Sequence, residues 1–252
     1  MGKRLGLPGA GDGAGHPHRA VRTRRGAARA VGEWMRSVAV AFILFVVVRT
    51  FVVEAFKIPT ASMENTLLVG DFLLVNKAVY GAVIPGTDLR LPAFSEPHRG
   101  DVVVFNPPHE PAKNYVKRLV GAPGDTLQMR NKRLIRNGVV VEEPYARHID
   151  LRGDTYNEAM RWQSNHLIAG PPPVRYRPTR DNWGPIVVPP GHYFFLGDNR
   201  DNSEDSRYWG FVARDAIRGR PWVVYYSFDP SRHHRLPWLR DVRWGRIGER
   251  IE

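Results

Sequence analysis

An unbroken apolar run near the N-terminus constrains this chain more than any other feature. Val38–Val48 holds eleven apolar residues, and the apolar character resumes after Arg49. Counted as Trp34–Val53, the segment has 20 residues, which at a rise of about 1.5 Å per residue matches the hydrocarbon thickness of a bilayer, about 30 Å. The pattern predicts one transmembrane helix over residues 34–54, with Arg36 and Arg49 reaching the headgroups at its two ends.

The charge distribution orients this helix. The chain has 37 Lys and Arg against 25 Asp and Glu, a net charge of +12, and residues 1–36 contribute +6 of it. The positive-inside rule places a disordered basic tail, 1–33, in the cytoplasm and residues 55–252 on the far side of the membrane. No aromatic residue precedes Trp34. Because base stacking needs aromatic rings, we expect the lipid bilayer, and not a nucleic acid, as the partner.

Three other interpretations of the apolar run stay open. A core helix of a soluble protein is disfavoured by the interrupting Arg49. A cleaved secretory signal is compatible with Val53-Glu54-Ala55 as a cleavage site, but its leader would be unusually long. An amphipathic surface helix needs a polar face, which Val38–Val48 lacks.

Downstream of Phe56 the chain has the pattern of an all-β domain. Short apolar runs alternate with turn residues at intervals of about ten residues, and the absence of Cys means that packing must stabilise the fold. The polar, Pro-rich stretch 142–188, within a variable region of approximately 126–190, predicts a cap or inserted lobe and not a second core. The predicted strands are 71–77, 101–105, 115–120, 126–129, 133–136, 139–141, 192–196 and 222–226.

Lys117 is the most informative single position. Strand alternation puts it on one face with Tyr115 and Leu119, and puts Arg118 on the other face. Both cations could be solvated charges at a strand edge. If instead the Lys117 face is buried, desolvation lowers the pKa of its amine, and a neutral lysine is a general base.

Two further clusters could complete a site. Ser62 lies in a segment that Pro59 and Ala61 predict to be extended or turning, although most serines in such loops are turn or cap residues. Residues 197–207 are dense in hydrogen-bonding groups and fail the spacing of a calcium loop. They are either a solvated turn or a polar network that orients a catalytic base.

These clusters, in this order, resemble the bacterial type I signal peptidases over about residues 37–227. The most specific of the matching motifs is the last one, over residues 197–210. The matching motifs are Arg49-Thr50-Phe51, Ile58-Pro59, Ser62-Met63, Gly70-Asp71, Val75-Asn76-Lys77, Arg99–Val103, Lys117-Arg118, Gly121, Pro123–Asp125, Gly197–Ser203 and Asp205–Gly210.

The resemblance implies a mainly β protein, with an antiparallel catalytic domain and an inserted cap lobe behind one N-terminal transmembrane helix. It implies a serine endopeptidase of the cytoplasmic membrane that cleaves signal peptides from preproteins at Ala-x-Ala-like sites through an acyl-enzyme, as a monomer and without metal or cofactor. Two alternatives remain: a Ser/Lys maturation peptidase with one dedicated substrate, and a non-enzymatic membrane-anchored relative.

The resemblance also assigns roles to residues. Ser62 is similar to the nucleophile and Lys117 to the general base, while the Ser62 N–H and the Thr60 hydroxyl match the oxyanion hole. Ser203 matches a residue that hydrogen-bonds the lysine, and Asp205 and Arg207 match a supporting ion pair. The positions that match the substrate pockets are Phe56, Ile58, Pro59, Met63, Leu67, Tyr115 and Val116. Asn65 stands where the family usually has Pro, an exchange that can loosen the turn after Ser62.

Overall fold

The N-terminal helix, α1, runs through Arg24–Phe51 and is followed almost at once by a β-strand. The computed structural model of the chain describes Gly2 and residues 24–87, 89–150, 154–170, 172–232 and 235–251. It divides the chain into two compact units, 1–45 and 46–252. Most of the predicted tail, 1–33, lies outside the described residues.

The helix differs from its predicted bounds at both ends. It begins at Arg24 rather than at residue 34, because the alanines of this stretch are strong helix formers. It ends at Phe51 rather than at residue 54, because Val53 pairs with Asn76 in a β-ladder. A tertiary contact therefore takes the last predicted helical residues into a strand.

In the part of the chain that the structure describes, one helix is long and apolar enough to cross a membrane. It covers Arg29–Phe51. Its most apolar 18-residue window has a mean hydropathy of 1.9, and none of that window is buried. The side chains of Val38–Val48 are correspondingly exposed. A core helix would bury these side chains, so the core-helix interpretation is wrong.

The strands of the second unit form two antiparallel sheets. The larger has seven strands among the described residues, in the order β1-β2-β11-β3-β4-β9-β10, and the smaller has the order β7-β6-β5-β8. The mainly β, antiparallel prediction is confirmed. The strands are β1 (Val53–Lys57), β2 (Asp71–Asn76), β3 (Val102–Phe105), β4 (Tyr115–Gly121), β5 (Thr126–Arg130), β6 (Arg133–Arg136), β7 (Val139–Val140), β8 (Trp183–Val187), β9 (His192–Leu196), β10 (Val212–Ala213) and β11 (Ile217–Ser227).

The eight predicted strands are all present, and three more were missed. The sequence pattern placed the start of β1 in the membrane helix, and β10 is only two residues long. The strand β8 contains Gly184 and Pro185, which argue against a strand in sequence. Pro185 is tolerated because β8 is an edge strand that pairs only with β5 within its sheet.

The inserted lobe shares a hydrophobic core with the main domain. Met160, Trp183 and Ile186, all from the 142–188 stretch, are buried in one cluster with residues of β5 and β9, including Phe194. These apolar side chains are too far apart in the sequence to form a visible run. The sheet brings them onto one face, so the lobe packs onto the main domain through a continuous core.

Candidate active site

Lys117 and Ser62 are in direct contact. The Lys117 amine, Nζ, donates a hydrogen bond to the Ser62 hydroxyl, Oγ. Lys117 lies in the middle of β4, opposite Val103 of β3, and Ser62 lies in a short 3₁₀ turn, Ala61–Met63, that follows β1. Their exposed fractions are only 4% and 9%. A buried amine thus faces a nearly buried hydroxyl, 55 residues away in the chain.

Burial controls the protonation of this amine. Desolvation lowers the pKa of Lys117 from 10.5 to about 8, although the charge of Asp205 partly opposes the shift. Among the described residues, no carboxylate forms an ion pair with Lys117 that would hold the proton. Strand-edge solvation is wrong for both cations, since β4 lies inside the sheet and Lys117 and Arg118 are buried.

Asp205 and Arg207 form a fully buried ion pair behind the lysine. Arg207 donates to the Asp205 carboxylate through Nη2 at 2.7 Å and through Nε at 2.8 Å. Burial alone would raise the pKa of Asp205, but the charge and hydrogen bonds of Arg207 outweigh it and hold that pKa below its usual value. Asp205 also accepts a hydrogen bond from the Gly197 N–H at 3.1 Å and caps α2 (Ser206–Trp209). The pair therefore fixes the 197–207 loop against β9.

Ser203 does not make the hydrogen bond that the resemblance implies. Its hydroxyl is buried and has no hydrogen-bond partner among the described residues, while Lys117 donates to Ser62. The Ser203 side chain instead packs closely over Gly197, where an added Cβ would lie 2.2 Å from Ser203 Oγ and 2.5 Å from the Ser62 carbonyl oxygen. The absence of a side chain at Gly197 allows these three residues to meet.

The other predicted site residues are either exposed at the rim of the site or packed in the core. Thr60 and Pro59 are exposed at the rim, and the Thr60 hydroxyl lies 3.5 Å from Ser62 Oγ. Ile58, Met63 and Leu67 are buried in one cluster, against which Phe56 and Val116 pack; Tyr115 packs against another cluster and its hydroxyl donates to Glu110 at 2.9 Å.

Burial limits what some of these side chains can touch. Met63 and Leu67 are fully enclosed, so in this structure they support the turn that carries Ser62 and present no surface to a peptide. Phe56 and Val116 are only partly buried and remain accessible.

The sequence reasoning missed a buried pair beside the lysine. Arg118 donates to Asp198 through Nε at 2.9 Å and through Nη2 at 2.8 Å, and the Thr66 hydroxyl donates to the same carboxylate at 2.5 Å. The guanidinium also lies 3.9 Å from the centre of the Tyr145 ring. The 197–207 cluster is thus a buried polar network, and the solvated-turn interpretation is wrong. Arg118 stood out only as a cation next to Lys117, and nothing local indicated its partner.

The missed residues also include a strap, residues 143–150, that crosses the loop after β9. Glu143 binds buried Arg200 with two hydrogen bonds, at 2.6 and 2.7 Å. Arg147 Nη1 lies 3.2 Å from a carboxylate oxygen of Glu64, and the Asn65 amide donates to the Tyr145 carbonyl at 3.2 Å. The turn that follows Ser62 is therefore tied to the strap.

Asn65 changes the backbone as well as the side chain. Its φ is 101°, which the proline ring cannot adopt. In this chain side-chain contacts hold the turn in place of a proline ring. Chemically, the site places a hydroxyl beside an amine, the arrangement that a nucleophile activated by a base requires.

Comparisons with known proteins identify the family of this chain. The family model described as signal peptidase, peptidase S26, matches residues 31–226. Signal peptidase I of Pseudomonas aeruginosa is 41% identical over 223 residues, which cover 81% of this chain and 76% of that protein. Signal peptidase I of Aquifex aeolicus is 35% identical over 242 residues, covering 81% of this chain and 89% of its own length. A solved signal peptidase I of Enterococcus faecalis V583 covers 50% of this chain and 97% of its own, at 31% identity and a TM-score of 0.34.

The molecule is a peptidase, a hydrolase with a mainly β catalytic fold. By the sequence matches, the chain belongs to the signal peptidase family, peptidase S26.

Proposed function

We propose that the protein removes signal peptides from exported preproteins, with Ser62 as nucleophile and Lys117 as general base. The observation that carries this proposal is the hydrogen bond from the buried Lys117 amine to the Ser62 hydroxyl. Burial favours the neutral amine, and only a neutral amine can accept the proton of the hydroxyl. Membership of the signal peptidase family supports the choice of substrate.

The reaction runs in two halves. Neutral Lys117 takes the Ser62 proton as the hydroxyl oxygen attacks the scissile carbonyl, and the resulting ammonium then protonates the leaving amine. Water, deprotonated by the same lysine, hydrolyses the ester and frees Ser62. The Ser62 N–H and the Thr60 hydroxyl stabilise the oxyanion in both halves. Losing one such donor typically costs about 3–4 kcal/mol of transition-state stabilisation.

The rim of the site supports a preference for small side chains at Ala-x-Ala-like sites. The substrate segment would lie extended at the site and add to it as a strand. Partly buried Phe56 and Val116 leave only shallow apolar surface next to Ser62, which suits side chains as small as alanine.

We infer that α1 anchors this activity in the cytoplasmic membrane. The span Arg29–Phe51, the cytoplasmic tail before it and the extracytoplasmic peptidase domain after it follow from hydropathy and from the positive-inside rule. Such anchoring brings the site close to substrates whose own signal peptides lie in the same bilayer. A monomer suffices, since Ser62 and Lys117 come from one chain.

The test is processing of a preprotein by the full chain in detergent. Ser62→Ala and Lys117→Ala are expected to abolish cleavage, because each removes one reacting group. Ser231→Ala and Lys113→Ala, at exposed positions outside the dyad, serve as matched controls and should cleave like the wild type. Full activity in either dyad variant would end the assignment. Testing several unrelated preproteins separates a general signal peptidase from one with a single dedicated substrate, and an inactive wild type would favour the non-enzymatic alternative.

A further inference from the structure

A cavity of about 560 Å³ lies where α1 ends, away from Ser62 and Lys117. It belongs entirely to the unit 46–252. Its wall combines the last turn of α1 with β1, the end of β2, the loop after residue 82, the start of β4 and β11. The lining residues are Arg49, Thr50, Glu54, Ala55, Lys77, Val83, Pro85, Asn114 and Arg218.

The wall of this cavity has more positive than negative charge. Three cations, Arg49, Lys77 and Arg218, face one carboxylate, Glu54. Lys77 Nζ already lies 3.4 Å from Glu54. Among the described residues, neither Arg49 nor Arg218 has a carboxylate within ion-pair distance. Two guanidinium groups therefore lack a counter-charge, and guanidinium is the side chain best suited to bind phosphate oxygens in pairs.

The end of a helix does not by itself favour an anion. The carbonyl groups of the last turn carry a partial negative charge that repels one. Here, however, Lys77 Nζ donates a hydrogen bond to the Arg49 carbonyl at 3.0 Å, which covers part of that charge. The net charge that an entering anion meets stays positive.

The position of the cavity identifies the source of the anion. Arg49 and Thr50 lie in the last turn of the apolar span, so the cavity lies where hydrocarbon gives way to lipid headgroups. Ala55, Val83 and Pro85 add an apolar wall beside the cations. Cations next to apolar surface suit a phosphate that carries acyl chains better than a free phosphate, which is hydrated on all sides.

We propose that this cavity binds the phosphate of an anionic phospholipid at the membrane surface. The site lies outside the peptidase machinery and is independent of the Ser62 chemistry. It does rest on the proposed membrane span of α1. A bound lipid would connect the helix end to β11 and fix the height of the peptidase domain above the bilayer.

The experiment titrates the full chain, in a non-ionic detergent, with dioleoylphosphatidylglycerol and follows binding by native mass spectrometry. The wild type is expected to retain one lipid, and Arg49→Gln/Arg218→Gln is expected to weaken binding by about tenfold or more. The matched control, Arg130→Gln/Arg133→Gln, removes the same charge from β5 and β6 and should bind like the wild type. Arg49→Lys/Arg218→Lys, which keeps the charge, should retain most of the affinity, and circular dichroism checks that each variant folds.

Three results of the lipid titration would overturn the proposal. Unchanged binding in Arg49→Gln/Arg218→Gln would show that the lipid does not bind in this cavity. An equal loss of binding in the control variant would show that the lipid is held only by general charge attraction. Displacement of the lipid by an equal concentration of inorganic phosphate would make it a free-anion site. Carbonate extraction of membranes tests the span separately: release of the chain would overturn the span together with this inference, whereas a retained chain leaves the lipid titration to decide.

Discussion

Arg118, the residue next to the lysine of the site, is held by two hydrogen bonds to Asp198, at 2.9 and 2.8 Å, and both side chains are buried. This pair joins β4 to the loop after β9, and that loop also carries Asp205. The same Asp198 accepts from the Thr66 hydroxyl, four residues after Ser62. One carboxylate thus connects the strand of the base, the turn of the nucleophile and the loop behind them.

Removing the charge of Asp198 is predicted to destabilise the domain. Asp198→Asn removes the carboxylate that neutralises the buried Arg118 guanidinium, which should lower the free energy of unfolding by about 3–5 kcal/mol. Unfolding of the full chain in detergent by guanidinium chloride, followed by circular dichroism, measures the change in free energy. Asp215→Asn, at an exposed carboxylate, is the matched control and should stay within about 0.5 kcal/mol of the wild type. Equal stability of the two variants would show that the buried pair contributes little.

The lowered pKa of Lys117 predicts how activity depends on pH. Only the neutral amine can act as base, so kcat/KM should rise with pH through about 8, the pKa that burial produces. A pH series of preprotein cleavage measures this profile. A profile that is flat between pH 6 and 9 would contradict the role of this amine.

The same pKa predicts how stability depends on pH. The folded chain loses the Lys117 proton near pH 8, whereas the unfolded chain keeps it until about pH 10.5, so the free energy of unfolding should rise with pH between these values. Lys117→Met lacks this titration. Its stability relative to the wild type should therefore fall by about 3 kcal/mol from pH 7 to above pH 10.5. A constant difference in unfolding free energy across that range would mean that the amine is not desolvated.

Gly197 is predicted to tolerate no side chain. The Cβ of Gly197→Ala would overlap Ser203 Oγ and the Ser62 carbonyl oxygen, at 2.2 and 2.5 Å, and so would move the nucleophile. A displacement of this size can lower kcat by about 100-fold. Gly245→Ala, where an added Cβ meets nothing within 4 Å, is the matched control for preprotein cleavage. Normal kcat in Gly197→Ala would show that the loop adjusts without moving Ser62.

Asn65→Pro introduces the residue that the family resemblance implies at this position, and it is predicted to destabilise this chain and lower its activity. Proline cannot adopt the φ of 101° at this position, and the substitution also removes the hydrogen bond to the Tyr145 carbonyl. The free energy of unfolding should fall by more than about 1 kcal/mol, and kcat should fall with it. Asn65→Gly keeps access to positive φ and loses only the amide, so it should retain more activity. If Asn65→Pro equals the wild type in both stability and kcat, the turn can also form with the negative φ that proline requires.

The family resemblance predicted the pairing of Ser62 with Lys117, and local pattern in the chain was enough to predict the membrane-length apolar segment and most strands. These features depend on neighbouring residues, because a strand alternates every second residue and a span needs only length and hydropathy. The partner of Arg118 could not be predicted in this way, since Asp198 lies 80 residues further along the chain. Nor could the burial of Lys117, which depends on β3 and β9 lying on either side of β4.

The same distinction explains the differences between expectation and structure. The sequence pattern predicts that Val53 belongs to the apolar helix, but in the structure Val53 pairs with β2. The scattered apolar residues of the 142–188 stretch form a core only together with residues of β5 and β9. Asn65 keeps its turn through contacts with a strap that is distant in sequence. The sequence alone determines which residue types stand at the reacting centre. The protonation of Lys117 depends on desolvation, because the amine is buried only once the sheet has assembled.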